Sequence, residues 1–378
     1  MNMRHLIIRN LGPLAEADVF LNKINIIVAP QSSGKSCLLK TACFCDWVEK
    51  RIQLSQNPDV FKENDVFENR FVEFHRLKGY TQEDSYIEYE NDSMRFSYSW
   101  KTKRFDFSWK EEGRWQYVCP KISYIPAERN IVAAIPNWFE VNMRNDNIRN
   151  FMSDWQEART VMTQGLSILN LGVSYRYDKR NNTDKVTVGN GKILDFENTS
   201  SGLQSLIPLL VHLEFLYSRR FDTEQSKNIL RIQEEEILRS TIFDEMVKRS
   251  LKGRKNPSFR YDNDEMSQKI FENFTLKRIA EIFLEEPEQN LFPPTQGVLA
   301  YKLLDWARSD RGGFLFVATH SPYMVTSFLE RDNRGDMSLF FNKESEDGRY
   351  KVYTASEEEI QKLYDCSIDV FHNLNSLG

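Results

Sequence analysis

The sequence predicts an α/β protein with a mixed central sheet, an antiparallel aromatic-rich β subdomain and a helical lobe. Three observations carry this. The β-branched run Ile24–Ala29 passes through a small-residue loop into helix-compatible apolar spacing at Cys37–Val48, the order of a buried strand, a loop and a helix. The apolar runs Ala280–Leu284 and Phe314–Ala318 each end in a polar cluster and precede a helical pattern, the alternation of an α/β chain. Tyr86, Glu88, Phe96, Tyr98, Trp100, Phe105, Phe107 and Trp109 lie in alternating, turn-separated segments. That pattern reads as an antiparallel meander with aromatic cross-strand pairs.

The remaining elements follow in chain order. Leu6–Ile8 and Asp18–Leu21 are short apolar segments split by the turn signal Gly12-Pro13. Residues 50–80 are polar and mixed, without a legible motif. Ile122–Ile125 is a strand that ends in Pro126-Ala127-Glu128-Arg129. Residues Asn137–Leu169 are expected to be helical, and Val173–Tyr177 with Val186–Val188 to form a hairpin around Asn181-Asn182. Residues 205–250 read as helices, with Glu234–Glu236 a solvated face, and 251–268 as irregular. Phe271–Arg278, Thr295–Ala307 and Tyr323–Leu329 are helical patterns, followed by a strand near Tyr350–Tyr353 and a helix from Ser356. There is no internal repeat and no sustained heptad pattern.

Composition narrows the function classes. The chain has 378 residues, with 50 Lys and Arg against 55 Asp and Glu, a net charge of −5. That balance removes global basicity as a sign of nucleic-acid binding while leaving room for a local basic patch. A hydrophobic share of 40%, with 26 Phe, 15 Tyr and 7 Trp, argues against disorder. No apolar run approaches the roughly 18–20 residues of a membrane span, and the first residues hold only the short run Leu6–Ile8, unlike a secretory leader. The five cysteines, Cys37, Cys43, Cys45, Cys119 and Cys366, are odd in number and lack a zinc spacing. Free thiols and a soluble, cytoplasmic location are expected.

Four segments carry chemistry. Gln31-Ser32-Ser33-Gly34-Lys35-Ser36 joins a strand to a helix, where small residues let successive backbone N–H groups wrap a phosphate and the helix N-terminus adds positive charge. Lys35 would reach the β- and γ-phosphates, and the Ser36 hydroxyl would bind Mg²⁺. Ala29 stands where the P-loop pattern has its first glycine, which is acceptable if its φ stays negative. Ile282–Pro287 is an apolar strand ending in Glu285-Glu286. One carboxylate there can hold Mg²⁺ and the second can polarise water, although an ordinary acidic strand end looks the same in isolation. Phe314–Pro322 ends its strand in His320, which could contact a γ-phosphate, orient water or be a simple loop histidine. Ser200-Ser201-Gly202-Leu203-Gln204 opens an apolar helix, as a cap or as a second anion-binding element.

Together these residues resemble the ATP-binding-cassette (ABC-type) P-loop ATPases of the branch that holds SMC, Rad50, RecF and the OLD-like proteins. The nearest likeness is to stand-alone AAA15/AAA21-like ATPases of bacterial defence systems. Ala29–Ser36 resembles Walker A. Ser200–Gln204 resembles the LSGGQ signature, with Leu203 in place of its second glycine. Glu285–Pro293 resembles Walker B plus D-loop in the form EEPE-x-x-L-x-P, Thr319–Pro322 the H-switch, and Ile125–Arg129 the segment that replaces a plain Q-loop. The resemblance implies an ABC-type ATPase head split between residues 1–130 and 275–378, with a helical lobe at 131–274 carrying the signature. It implies a homodimer, or a higher even oligomer, that sandwiches ATP and Mg²⁺. Gln31, Ser32, Ser33, Gly34, Lys35 and Ser36 of one subunit and Ser200, Ser201, Gly202 and Gln204 of the other would bind nucleotide. Ser36 and Glu285 would bind the metal, Glu286 would be the general base, and His320 would sense the γ-phosphate.

Within the family, the interval from Asn130 to Ser200 is too short for coiled-coil arms, and no Toprim pattern follows His320; Asp332–Asp336 reads as a surface turn. The resemblance then implies the sensor or scaffold subunit of a two-component anti-phage or toxin–antitoxin-like system, working with a separate effector and no membrane partner. The alternative is a RecF-like repair ATPase. Its cue is a basic run with Lys248, Arg249, Lys252, Arg254 and Lys255 and no acidic residue from Lys248 through Arg260, which could contact DNA phosphates or be a solvated loop.

Overall fold

The computed structural model describes residues 4–63, 65–111, 113–219, 228, 230–251, 262–332 and 334–366, with the backbone alone at 219, 249–251, 262–264 and 363–366. Strands β1 (Arg4–Leu11) and β2 (Leu14–Leu21) form a hairpin about Gly12-Pro13, with Arg4 opposite Leu21. Strand β3 (Ile24–Val28) leads through residues 29–34 into α1 (Lys35–Ser55), and α2 (Val66–Phe74) follows. The aromatic segments form β4 (Thr81–Glu90), β5 (Met94–Ser99) and β6 (Arg104–Trp109). Strand β7 (Pro120–Ile125) precedes the short α3 (Ile131–Ala134) and α4 (Asn147–Thr160). A small antiparallel sheet then holds β8 (Leu166–Ser167), β9 (Ser174–Asp178), β10 (Thr183–Thr187) and β11 (Ile193–Asp195). Helices α5 (Ser201–Glu214), α6 (Ile232–Leu251) and α7 (Asp262–Thr275) come next. The chain closes with β12 (Ile279–Glu285), α8 (Pro293–Ala307), β13 (Gly312–Thr319), α9 (Pro322–Glu330), β14 (Met337–Glu344), β15 (Tyr350–Thr354) and α10 (Glu357–Cys366).

The α/β class and the mixed sheet are as expected. Eleven strands run in the order β6-β5-β4-β1-β2-β15-β14-β3-β13-β12-β7. The block β14-β3-β13-β12-β7 is parallel throughout. The aromatic meander is antiparallel, and β4 pairs with β1 from His5↔Glu90 to Leu11↔Thr81, so it extends the central sheet rather than forming one of its own. Alternation along the parallel strands divides the core between two faces. Ile24, Ile26, Val28, Ile282, Leu284, Leu315 and Val317 pack with α4, α5, α8 and α9, whereas Ile27, Phe283, Phe314, Phe316 and Ala318 pack with α1 and α2. Strands covered on both faces read as continuous apolar runs, which is why β3, β12 and β13 are legible. The carboxyl ends of β3, β7, β12 and β13 lie side by side at one edge of this block, where open α/β sheets bind ligands.

Some boundaries differ from expectation. Residues Asn137–Leu169 are not one helix. The side chain of Asp146 accepts the N–H groups of Ile148 and Arg149 and so starts α4 at Asn147, and the helix stops at Thr160, before Gly165 at φ +92°. Polarity predicts an irregular span over 251–268, but from Asp262 it is helical, because Ile270, Phe271 and Phe274 bury one face against Leu238, Ile242 and Trp115. Strand β14 has no counterpart in the sequence reading. The hairpin β9–β10 does, turning with Asp178 opposite Thr183.

Candidate nucleotide-binding site

The loop from Ala29 to Gly34 is built by local conformation. Ser32 has φ +62°, Gly34 has φ +98°, and Ala29 is not among the positive-φ residues, so alanine meets no strain there. The Ser33 hydroxyl donates to the Pro30 carbonyl at 2.7 Å. The Ser33 carbonyl in turn accepts from Asn342 Nδ2 of β14 at 2.6 Å. Helix α1 begins at Lys35 with Gly34 as its N-cap, no capping side chain and no acidic residue in its first turn. Its first N–H groups are thus left for an anion.

Lys35 is buried, and its ammonium donates to the carbonyls of Ala29 at 2.8 Å and Pro30 at 2.7 Å. Burial pushes its pKa down to about 8, against the opposing pull of Glu286, Glu288 and Glu285. A buried cation held by carbonyls at an uncapped helix start fits a phosphate group. Gln31 and Ser32 are exposed on the same loop, Ser36 is exposed in the first turn of α1, and Ser33 is buried.

The second wall is the turn after β12. Glu285 is buried, and the Ala127 N–H approaches its Oε2 at 3.4 Å. Glu286 takes φ +42°, and its N–H donates to Ala318 O at 2.8 Å. Its Oε1 lies 3.4 Å from Nε2 of His320. The His320 hydrogen bond, with the positive charges of Lys35 and Arg129, holds the Glu286 carboxyl below its ordinary value despite partial burial, so it is ionised at neutral pH. Glu288, 2.6 Å from the His320 N–H that it accepts, is pushed up by burial. Among the described residues no group of three or more His, Cys, Asp or Glu side chains forms a metal cage. A Mg²⁺ ion held by Ser36 and Glu285 would rely on phosphate and water for its other ligands, as that ion commonly does.

The structure brings Lys35, Glu285, Glu286 and His320 together. No hydrogen bond among the described residues joins the signature-like residues to loop 29–36. Ser200 caps α5 through Leu203 N–H at 3.5 Å, and Gln204 Nε2 donates to Glu197 O at 2.8 Å and Thr199 O at 3.1 Å. Gly202 rests on the Asn290 carbonyl so closely that a Cβ would come within 2.9 Å of it. Of the basic run, Lys248 is exposed, Arg249 is described by its backbone alone, and Lys252, Arg254 and Lys255 lie outside the described residues.

Three supporting residues have no individual role legible in the sequence, although Arg129 and Glu288 lie inside segments named above. Arg129 is fully buried and binds the carbonyls of the Glu285–Pro287 turn. Glu288 fixes the backbone of His320. Asn342 anchors the Ser33 carbonyl, and its one signal was a polar residue closing the apolar run Leu339–Phe341.

No protein-family model matches the chain, and no curated protein matches it. Solved structures resemble it at low identity. The SMC head domain from Thermotoga maritima is 10% identical with a TM-score of 0.44, over 94% of this chain and 100% of that one. The ADP conformation of an ATP-binding cassette of an ABC transporter is 9% identical with a TM-score of 0.35, over 99% of both chains. The recombination mediator protein RecF is 11% identical with a TM-score of 0.31, over 94% of this chain and 98% of that one.

Proposed function

We propose that the chain is an ABC-type ATPase that binds and hydrolyses ATP and closes as a homodimer, or a higher even oligomer, around it. The observation that supports this most is the Lys35 ammonium, buried on its own loop carbonyls with the carboxylates of Glu285, Glu286 and Glu288 near it. Residues 29–36 hold the phosphates through backbone N–H groups, and Lys35 exchanges its carbonyl partners for phosphate oxygens. Ser36 and Glu285 hold Mg²⁺, which when bound neutralises phosphate charge. Glu286, already ionised, accepts the proton of the attacking water, and His320 senses the γ-phosphate. In this reading residues 1–130 and 275–378 form the nucleotide core, and 131–274 form the lobe that carries α5. Ser200, Ser201, Gly202 and Gln204 serve the nucleotide of a second copy, so ATP binding shifts the population toward a closed pair. Light scattering of the Glu286→Gln chain with ATP and Mg²⁺ tests this. A doubling of mass is expected, and a monomer with and without nucleotide would refute the sandwich.

The finer reading is the sensor or scaffold subunit of a two-component bacterial anti-phage or toxin–antitoxin-like system with a separate effector. It rests on the EEPE-x-x-L-x-P form at Glu285–Pro293. A native complex recovered from the host without a second polypeptide would count against it. The alternative, a RecF-like DNA repair ATPase, rests on the basic run, of which Lys248 is exposed. Salt-sensitive duplex binding lost on neutralising Lys248, Arg249, Lys252, Arg254 and Lys255 would favour that alternative. No helix among the described residues is long and apolar enough to cross a membrane.

A further inference from the structure

A buried arginine fastens the two halves of the candidate site to each other. Arg129 is 0% exposed and has no ion pair among the described residues; its hydrogen bonds run to backbone carbonyls. Nε donates to Ser205 O at 3.0 Å, Nη1 to Glu285 O at 2.9 Å and Pro126 O at 3.4 Å, and Nη2 to Glu286 O at 2.7 Å and Pro287 O at 3.3 Å. Those five acceptors match the five N–H donors of a guanidinium. Burying this cation is costly even with the carboxylates of Glu288, Glu286 and Glu285 near enough to favour its charge, and an apolar side chain would fill the same space without that cost. What the planar fork supplies is simultaneous grip on carbonyls from three separate segments.

The segment it grips is strained. Glu286 sits at φ +42°, a left-handed conformation that a non-glycine residue keeps only when its surroundings impose it. Arg129 binds the carbonyls immediately before and after the Glu286 Cα, which fixes both peptide planes and therefore the direction of the side chain. It also reaches Ser205, within the first turns of α5. Asn290 fastens the same place, its Nδ2 donating to Ser205 Oγ at 3.0 Å, and Gly202 lies against the Asn290 carbonyl. The start of α5 and the turn 285–290 are thus tied at three points.

Building on the nucleotide-site reading above, we propose that Arg129 is a positioning residue. It holds the Glu285–Pro287 turn in register with α5, so that the aim of the Glu286 carboxylate depends on where α5 sits. A helix displaced by a partner at Ser200 and Ser201 then changes the aim of Glu286 in its own chain, with no contact between the two.

Arg129→Lys tests this, because it keeps the charge but offers three donors to five carbonyls. Hydrogen exchange read by mass spectrometry on the full chain without nucleotide should rise about tenfold in both 283–290 and 200–210, with 29–40 unchanged. In steady-state hydrolysis kcat should fall roughly 100-fold, the effect of a small misplacement of a reacting group. KM for ATP should stay within about threefold, since Arg129 touches nothing in loop 29–36. A folded variant with wild-type kcat, or exchange that rises in only one of the two segments, overturns the proposal. If exchange rises along the whole chain, Asn290→Ala decides, since it removes only the second tie at Ser205. The same paired rise at smaller size supports the coupling, and no change overturns it. A wild-type chain that does not hydrolyse ATP refutes the nucleotide reading instead, and the paired exchange then decides for or against Arg129 by itself.

Discussion

Replacing Gly34 by alanine should destabilise the fold through two separable effects. Gly34 has φ +98° and ψ 9° at the start of α1. A Cβ placed there would lie 2.5 Å from Leu14 Cδ2, 2.8 Å from Leu14 Cγ and 3.2 Å from Pro13 Cγ. Leu14 is 0% exposed and paired with Leu11 at the β1–β2 turn, so it has little room to yield. The left-handed backbone costs an L-residue about 1–2 kcal/mol, and overpacking a filled core costs about 1–3 kcal/mol. Together they give roughly 2–5 kcal/mol, read as a lower urea midpoint at constant slope. Leu14→Ala alone should cost about 2–5 kcal/mol through its cavity. In the double variant the steric part disappears while the backbone part remains, so the total should fall short of the sum by about 1–3 kcal/mol. Additivity within about 0.5 kcal/mol would refute the clash, and a Gly34→Ala loss below that size would refute both effects.

The affinity for ATP should depend on pH through Lys35. Burial lowers its pKa to about 8, so the cation is present below that pH and lost above it. Affinity should weaken by up to about tenfold for each pH unit above 8, and titration of a fluorescent nucleotide should show no such slope in Lys35→Met. An affinity that stays flat in the wild type well above pH 8 would contradict this assignment. Stability in acid should depend on His75, which burial pushes down to about 3. Its Nδ1 has no hydrogen-bond partner, and its ring meets Phe44 and Tyr124 edge-on. As pH falls below the unfolded value of about 6.5, the unfolded chain takes up the proton first, so this share of stability is present above that value and is lost toward pH 3, at up to about 1.4 kcal/mol per unit. His75→Phe should lose less stability between neutral and acidic pH than the wild type. Parallel urea midpoints across that range would show that His75 does not titrate this way.

The sequence carried the parts of the site that are contiguous along the chain. Strand β3, the loop after it and α1 follow one another directly, so apolar spacing and small residues located Ser32, Gly34 and Lys35 without tertiary knowledge. The strand ends at Glu285 and His320 were legible because β12 and β13 are buried on both faces. The supporting residues were not legible, because their partners are far away in sequence. Asn342 meets a residue 309 positions earlier, and Arg129 binds carbonyls 76 to 158 positions later. Carbonyl acceptors leave no trace in side-chain identity, so nothing in Pro126–Arg129 announced a five-way grip. Strand β14 is not legible because its apolar run, Leu339–Phe341, is only three residues long and flanked by polar residues. Apolar spacing alone extends a helix over Asn137–Leu169, whereas the Asp146 cap starts it at Asn147.

ATP turnover by the wild-type chain and by Glu286→Gln, measured side by side with Mg²⁺ and with nucleotide binding followed in parallel, tests the central claim most directly. Removing a general base from an otherwise intact site should lower kcat by at least about 100-fold while ATP is bound as tightly as before, because Glu286 meets His320 and Lys35 remains on loop 29–36. Equal hydrolysis by the two proteins would contradict the assignment of Glu286 and, with it, the account of how this site works.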